Sequence, residues 1–169
     1  MIPKYRTILY ATDLSQNAAH AFRHAIGLAR SQNARIHLLH VLPEIDPGVL
    51  NYISTVMGEE KLAGLEVEHK DEIRDRIRLR LQKFAKEELA DHPEDVERIS
   101  EIEVRNGNAV AQILETADRI DADLIVLGSH GKGRIKYAFL GSVAEKVLRK
   151  VHRPTLVVPL YDKAEGERP

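Results

Sequence analysis

Residues 122–146 read ADLIVLGSHGKGRIKYAFLGSVAEK. The run LIVL at 124–127 is branched and apolar throughout, the composition of a strand covered on both faces. Glycine follows at Gly128, Gly131 and Gly133, and Gly141-Ser142 closes the segment onto SVAEKVLRK, where Val143, Val147 and Leu148 fall at helical spacing. A buried strand, a glycine-rich segment and a helix make one half of a βαβ unit. Glycines let a backbone approach a ligand closely, and a helix N-terminus offers free amides and partial positive charge to an anion. Ser142 adds a hydroxyl there, which is equally a natural N-cap. Lys132, Arg134 and Lys136 place three cations within five residues. The segment reads as a phosphate cradle; the alternative is a surface loop whose glycines only turn the chain and whose cations are solvated.

Three further apolar runs lie outward from it, at 8–11, 36–41 and 155–158, with a weaker alternating run, ISEIEVR, at 99–105 that suits a sheet edge. Helical stripes separate them. Ala18, Phe22, Ala25, Ile26 and Ala29 form one, with Ser15 as its expected N-cap. A longer helix is predicted over about 68–90, with Ile73, Ile77, Leu81, Phe84, Ala85 and Leu89 as its apolar face. Val110, Ile113, Leu114, Ala117 and Ile120 form a third. Alternating strands and helices predict an α/β fold with an open parallel sheet and helices on both faces. One domain over 1–160 is expected. Residues 43–65 read as a mobile or partly helical insertion after the second strand, and 161–169 as a disordered polar tail.

Composition narrows the chemistry. The chain has 169 residues, 43% hydrophobic and 30% charged, with a formal net charge of −1. That balance fits a globular domain and speaks against holding nucleic acid by bulk charge. Without cysteine, disulfides, thiolate catalysis and Fe–S clusters are excluded. The N-terminal residues do not resemble a signal peptide and no apolar run is long enough to span a bilayer, so a cytoplasmic protein with no membrane insertion is expected.

In an open parallel sheet, ligands bind beyond the carboxyl ends of the strands, where the strand order reverses. This directs attention to ATDLS at 11–15, to Val41 and to the glycine segment. Two nucleotide motifs fail. The dinucleotide fingerprint lacks its third glycine, and the P-loop pattern begun by Gly128 and Gly133 continues with Arg134-Ile135 instead of Lys-Ser/Thr. Asp13 is either a ligand contact or a local cap. His130 could meet a phosphate or a base, or be a solvated loop residue. His20 and His24, four apart on one helix, suggest no third metal ligand, and His37, His40, His69, His92 and His152 form no metal pattern.

The spacing that does fit is Gly128-x-x-Gly131, nine residues, then Gly141-Ser142. With ILYATDLS at 8–15, HLLHV at 37–41, ADLIVLGSHG at 122–131 and LGSVAEKVLRKVHRPTLVVP at 140–159, the chain resembles the universal stress protein family, in its ATP-binding subclass, along nearly all its length. The resemblance implies a Rossmann-like, adenine-nucleotide alpha-hydrolase-like sheet in strand order 3-2-1-4-5. It implies ATP, or ADP or AMP, as ligand, with Mg²⁺ or Mn²⁺ held mainly by phosphates. Asp13 would sit beside the nucleoside and the Val41 backbone against adenine. Gly128, Gly131, Gly141 and Ser142 would hold the phosphates, and Val143 would lend its amide. Ala11 and Thr12 would line the same pocket by position, and His130, Gly133 and Arg134 complete the candidate set. It also implies a homodimer through the last strand, at 155–160. A regulatory nucleotide-binding module in stress response is the reading that follows. A slow ATP-hydrolysing or phosphotransferring enzyme is the alternative, with only Asp13 and His130 as candidate bases.

Overall fold

The structure is a computed structural model. It describes residues 1–15, 18–44, 46–130 and 140–159, excepting the side chains of 62, 63 and 65–69. The elements run β1 (Thr7–Thr12), α1 (Ala18–Gln32), β2 (Arg35–Leu42), α2 (Pro47–Met57), α3 (Glu59–Glu88), a 3-10 turn (Pro93–Arg98), β3 (Ile99–Asn106), α4 (Ala109–Arg119), β4 (Leu124–Gly128), α5 (Ser142–Lys150) and β5 (Thr155–Val158). The five strands form one sheet in order β3-β2-β1-β4-β5, every pairing parallel. This is the order expected, with ISEIEVR at an edge.

Strand alternation divides the core between the two faces. Ile8 and Tyr10 of β1, with Ile36 and Leu38 of β2, pack beneath α1 and α3 around Phe22 and Leu81. Leu9, Leu39, Ile125 and Leu127 pack beneath α4 and α5 around Ile113 and Val147. Aromatic contacts join the layers, Tyr10 to Phe22 at 5.5 Å between centroids and Phe22 to Phe84 at 5.3 Å. The strand starts are pinned by Asp123, whose Oδ2 accepts the amides of Arg6 (2.7 Å) and Thr7 (2.9 Å), while its own amide donates to the Thr7 carbonyl (2.8 Å). Asp95 is buried beneath α1, between the guanidinium groups of Arg30 and Arg98.

Several expectations need correction. The long helix begins at Glu59, not near 68. Along it Ile73 is exposed whereas Leu81, Ala85 and Leu89 are buried. Within 43–65, where a mobile or partly helical insertion is expected, lies a helix, α2, with no buried residue. Asp46 caps it through Gly48 N (2.7 Å), with Pro47 in its first turn. Ser15 does not cap α1 with its side chain. Its carbonyl accepts Ala18 N (3.0 Å), and its hydroxyl is buried without a partner among the described residues. In α5, Ala144 and Val147 are buried while Val143 and Leu148 are exposed. The polar tail at 161–169 lies outside the described residues.

Candidate functional site

β1 is followed by a helix on one face of the sheet and β4 by a helix on the other, so their carboxyl ends diverge and leave a crevice. A cavity of about 600 Å³ fills it, within the roughly 300–1,000 Å³ typical of small-molecule sites. Ala11, Thr12, Asp13, Val41, Gly128, His130, Gly141, Ser142 and Val143 all line it. Gly131, Gly133 and Arg134, with Lys132 and Lys136, lie outside the described residues.

The β1 end is held in an unusual conformation. Leu14 has φ 58°, a left-handed value that costs a bulky residue energy. Two local hydrogen bonds hold it. Leu14 N donates to Thr12 Oγ1 (3.1 Å) and Ser15 N donates to Asp13 Oδ1 (2.9 Å). This turn leaves the other Asp13 oxygen, Oδ2, buried with no partner among the described residues. The Ser15 hydroxyl, also against the cavity, is in the same condition. A buried acceptor without a donor is costly, so a ligand hydroxyl or amide placed there would be well received.

The β4 end carries the opposite polarity. Ser129 N donates to the Val158 carbonyl (2.8 Å), and Gly141 N donates back to the Ser129 carbonyl (2.6 Å). The excursion after His130 therefore returns to the strand end, and α5 begins over the cavity. Gly141, not Ser142, is the N-cap, with no side-chain cap bond. Ser142 is thus the first helical residue, one position past the cap. The first backbone bond into this turn is Glu145 N to Gly141 O (3.0 Å), so the amides of Ser142, Val143 and Ala144 remain at the positive end of the helix. Ser129 Oγ lies 2.9 Å from His130 Nδ1.

Side chains that sequence reasoning did not assign to a site complete the walls. His40 is buried with Nδ1 2.7 Å from the Thr12 carbonyl. Tyr10 donates its hydroxyl to the Ala18 carbonyl (2.8 Å), and burial pushes its pKa well above the ordinary phenol value, so it stays a neutral donor. From α3 come Ile77 and Arg80. Only His40 left a trace in the sequence, a polar residue at the buried end of an apolar strand. Arg80 left none, because its place depends on how α3 crosses the sheet. Leu39, Ile113 and Leu127 give the α4 side an apolar wall suited to a flat ring. His20 and His24 meet edge to face at 4.9 Å on the exposed side of α1, away from the cavity.

The universal stress protein family model matches residues 4–159. Universal stress protein MJ0577 of Methanocaldococcus jannaschii is 31% identical over 158 residues, spanning 91% of this chain and 94% of that one. Universal stress protein YxiE of Bacillus subtilis is 32% identical over 160 residues, spanning 91% and 99%. The solved structure of MJ0577 superposes with a TM-score of 0.68 at 27% identity, covering 95% of this chain and all of that one. With the family model matched almost from end to end, and the same fold in a relative of this similarity, the chain belongs to the universal stress protein family.

Proposed function

We propose that this protein is a regulatory module of the stress response that binds an adenine nucleotide, ATP foremost, in the crevice between β1 and β4. The observation that carries the reading is the pairing of opposite polarities across one cavity. An Asp13 oxygen, buried and without a partner among the described residues, stands at the β1 end, and the first-turn amides of α5 stand at the β4 end. A nucleoside has hydroxyl donors for the first and phosphate oxygens for the second. Adenine would lie near Val41 against Leu39 and Ile113, with Ala11 and Thr12 beneath it. Gly128, Gly141, Ser142 and the Val143 amide would receive the phosphates. His130, Gly131, Gly133 and Arg134 belong to the same proposal, the last three on the family motif alone. Asp13 is the one acidic side chain among the described lining residues. Mg²⁺ or Mn²⁺ would therefore rest mainly on phosphate oxygens. Bound ATP would act by favouring one shape or one partner.

We also place a homodimer contact along residues 155–160. β5 is a sheet edge with Leu156 and Val157 only half-buried, and pairing would cover it; Pro154 and Pro159 limit its length.

Purification without added nucleotide, denaturation and anion-exchange chromatography at 260 nm should release close to one adenine nucleotide per chain, or the empty protein should take up ATP in a calorimeter. A protein that releases none and takes up none refutes the proposal. Phosphate release measured with and without Mg²⁺ separates a binding module from a slow hydrolase.

A further inference from the structure

Away from the cavity, the sheet face under α4 holds a polar cluster that spacing along the chain does not reveal. His37 of β2 points into that face and is 3% exposed. In the parallel register His37 lies beside Glu101 of β3, and Leu39 beside Glu103. The two glutamates therefore share a face with the imidazole. His37 Nε2 is 2.7 Å from Glu103 Oε2, and Nδ1 is 3.7 Å from Glu101 Oε2. One donor atom from each residue lies within 4.8 Å of the others, the one such group of three among the described residues. Glu103 also pairs with Arg119 of α4 through Oε2 and lies 3.8 Å from Arg105 through Oε1.

We propose that His37, Glu101 and Glu103 form a site for a divalent transition ion of the zinc class, independent of the nucleotide crevice. The donor set decides the class. One imidazole with two carboxylates suits Zn²⁺ and its neighbours, whereas Ca²⁺ and Mg²⁺ take oxygen ligands alone. The ligands differ in freedom in a way that suits assembly. His37 is fixed by burial, and Glu103, with its side chain 18% exposed, is oriented by Arg105. Glu101, with its side chain 58% exposed, can swing inward. Metal–ligand bonds of about 2.0–2.2 Å put donors about 3.3 Å apart around a tetrahedral ion. One ion takes one ring nitrogen, so with Nε2 as the ligand the His37–Glu103 gap of 2.7 Å must widen slightly, and Glu101, which faces Nδ1 at 3.7 Å, must swing across to the Nε2 side. The open side at Glu101 leaves a coordination position for water. Two carboxylates balance the ion's charge. Arg119 competes with the ion for Glu103 Oε2, but its side chain is 48% exposed and can turn to solvent.

The test uses the full chain in a His20→Asn, His24→Asn background, so that the exposed pair on α1 takes up no metal. After chelator treatment, ZnCl₂ is titrated by calorimetry and Co²⁺ binding is followed by visible absorption. One ion per chain is expected, with a tetrahedral Co²⁺ spectrum and no heat from MgCl₂ or CaCl₂. Glu101→Gln should weaken Zn²⁺ binding at least tenfold, and Arg119→Gln should strengthen it several-fold by removing the competing cation. His37→Gln should abolish binding. Glu101 stands at the exposed rim, so its variant keeps the fold, checked by circular dichroism, and decides the matter if His37→Gln unfolds. No zinc uptake, or uptake unchanged in Glu101→Gln, overturns the proposal. The cluster is then an ion-pair network fastening β3 to β2 and α4.

Discussion

Asp13 has two oxygens with different duties, and the pair Asp13→Asn and Asp13→Ala separates them. Oδ1 accepts Ser15 N at 2.9 Å and helps hold Leu14 at φ 58°. Oδ2 is buried and without a partner among the described residues. Asparagine keeps the acceptor for Ser15 N, so folding stability should change by less than about 0.5 kcal/mol. Alanine loses it and should cost about 1 kcal/mol. At Oδ2, a ligand hydroxyl would form a charge-assisted bond with a net value of about 1.5–3 kcal/mol, against about 0.5–1.5 kcal/mol for the neutral bond that asparagine allows. The difference, about 1–1.5 kcal/mol, corresponds to roughly tenfold in Kd. Alanine should lose more, because the bond and the turn both go. Calorimetric titration with ATP and with adenosine, beside urea denaturation of each variant, measures both duties. The sign matters. Removing a negative charge near a triphosphate would by long-range electrostatics tighten ATP binding and leave adenosine unaffected. If Asp13→Asn binds ATP as tightly as the unaltered protein or more tightly, and adenosine equally well, Oδ2 does not meet the nucleoside.

Ser142→Ala should leave stability within about 0.5 kcal/mol, since Gly141 and not Ser142 is the N-cap, yet lower ATP affinity several-fold; equal affinity in calorimetry would remove Ser142 from the phosphate site. Asp95→Asn should cost about 2 kcal/mol at pH 7 by urea denaturation. Burial opposes the charge of Asp95, but the hydrogen bonds of Arg30 and Arg98 outweigh it and hold the pKa below the ordinary carboxylate value. Its contribution is therefore present above the unfolded pKa of about 3.9 and is lost as pH falls through the folded value. The gap between the two proteins should narrow in acid, and a gap independent of pH would refute this account. Phe22→Ala removes a fully buried ring between Tyr10 and Phe84 and should cost about 3–5 kcal/mol; a loss under 1 kcal/mol would mean the aromatic layer does not hold α1 and α3 to the sheet. Asp123→Ala frees the amides of Arg6 and Thr7 and should cost about 2 kcal/mol, measured by thermal unfolding.

Legibility followed burial. α1 and α4 bury one face each, so their apolar stripes are written in the chain. α2 buries nothing, so no stripe marks it, and Asp46-Pro47-Gly48 reads equally as a turn or a helix start. The expected start near 68 falls short of Glu59, because the apolar stripe that marks this helix in the sequence is the part that packs on the core, Ile77, Leu81, Phe84, Ala85 and Leu89. Glycine spacing pointed to the β4 side of the crevice, where Gly128 and Gly141 line the cavity. It did not find Arg80, Tyr10 or His40, whose places come from strand register and helix crossing.

The sequence by itself determined the alternation of buried strands and amphipathic helices and the family, and it named Gly128, Gly141, Asp13 and Val41, which the fold brings to one cavity. These depend on local chemistry and short spacing, which a linear chain records. Tertiary structure alone decided that an Asp13 oxygen is left without a partner among the described residues, that Gly141 and not Ser142 is the N-cap of α5, and that His37 meets Glu101 and Glu103. The last arises from residues brought together across strands, where contact energies depend on distances that no spacing along the chain encodes; the first two follow from the backbone path of single turns, which the residue types alone leave open.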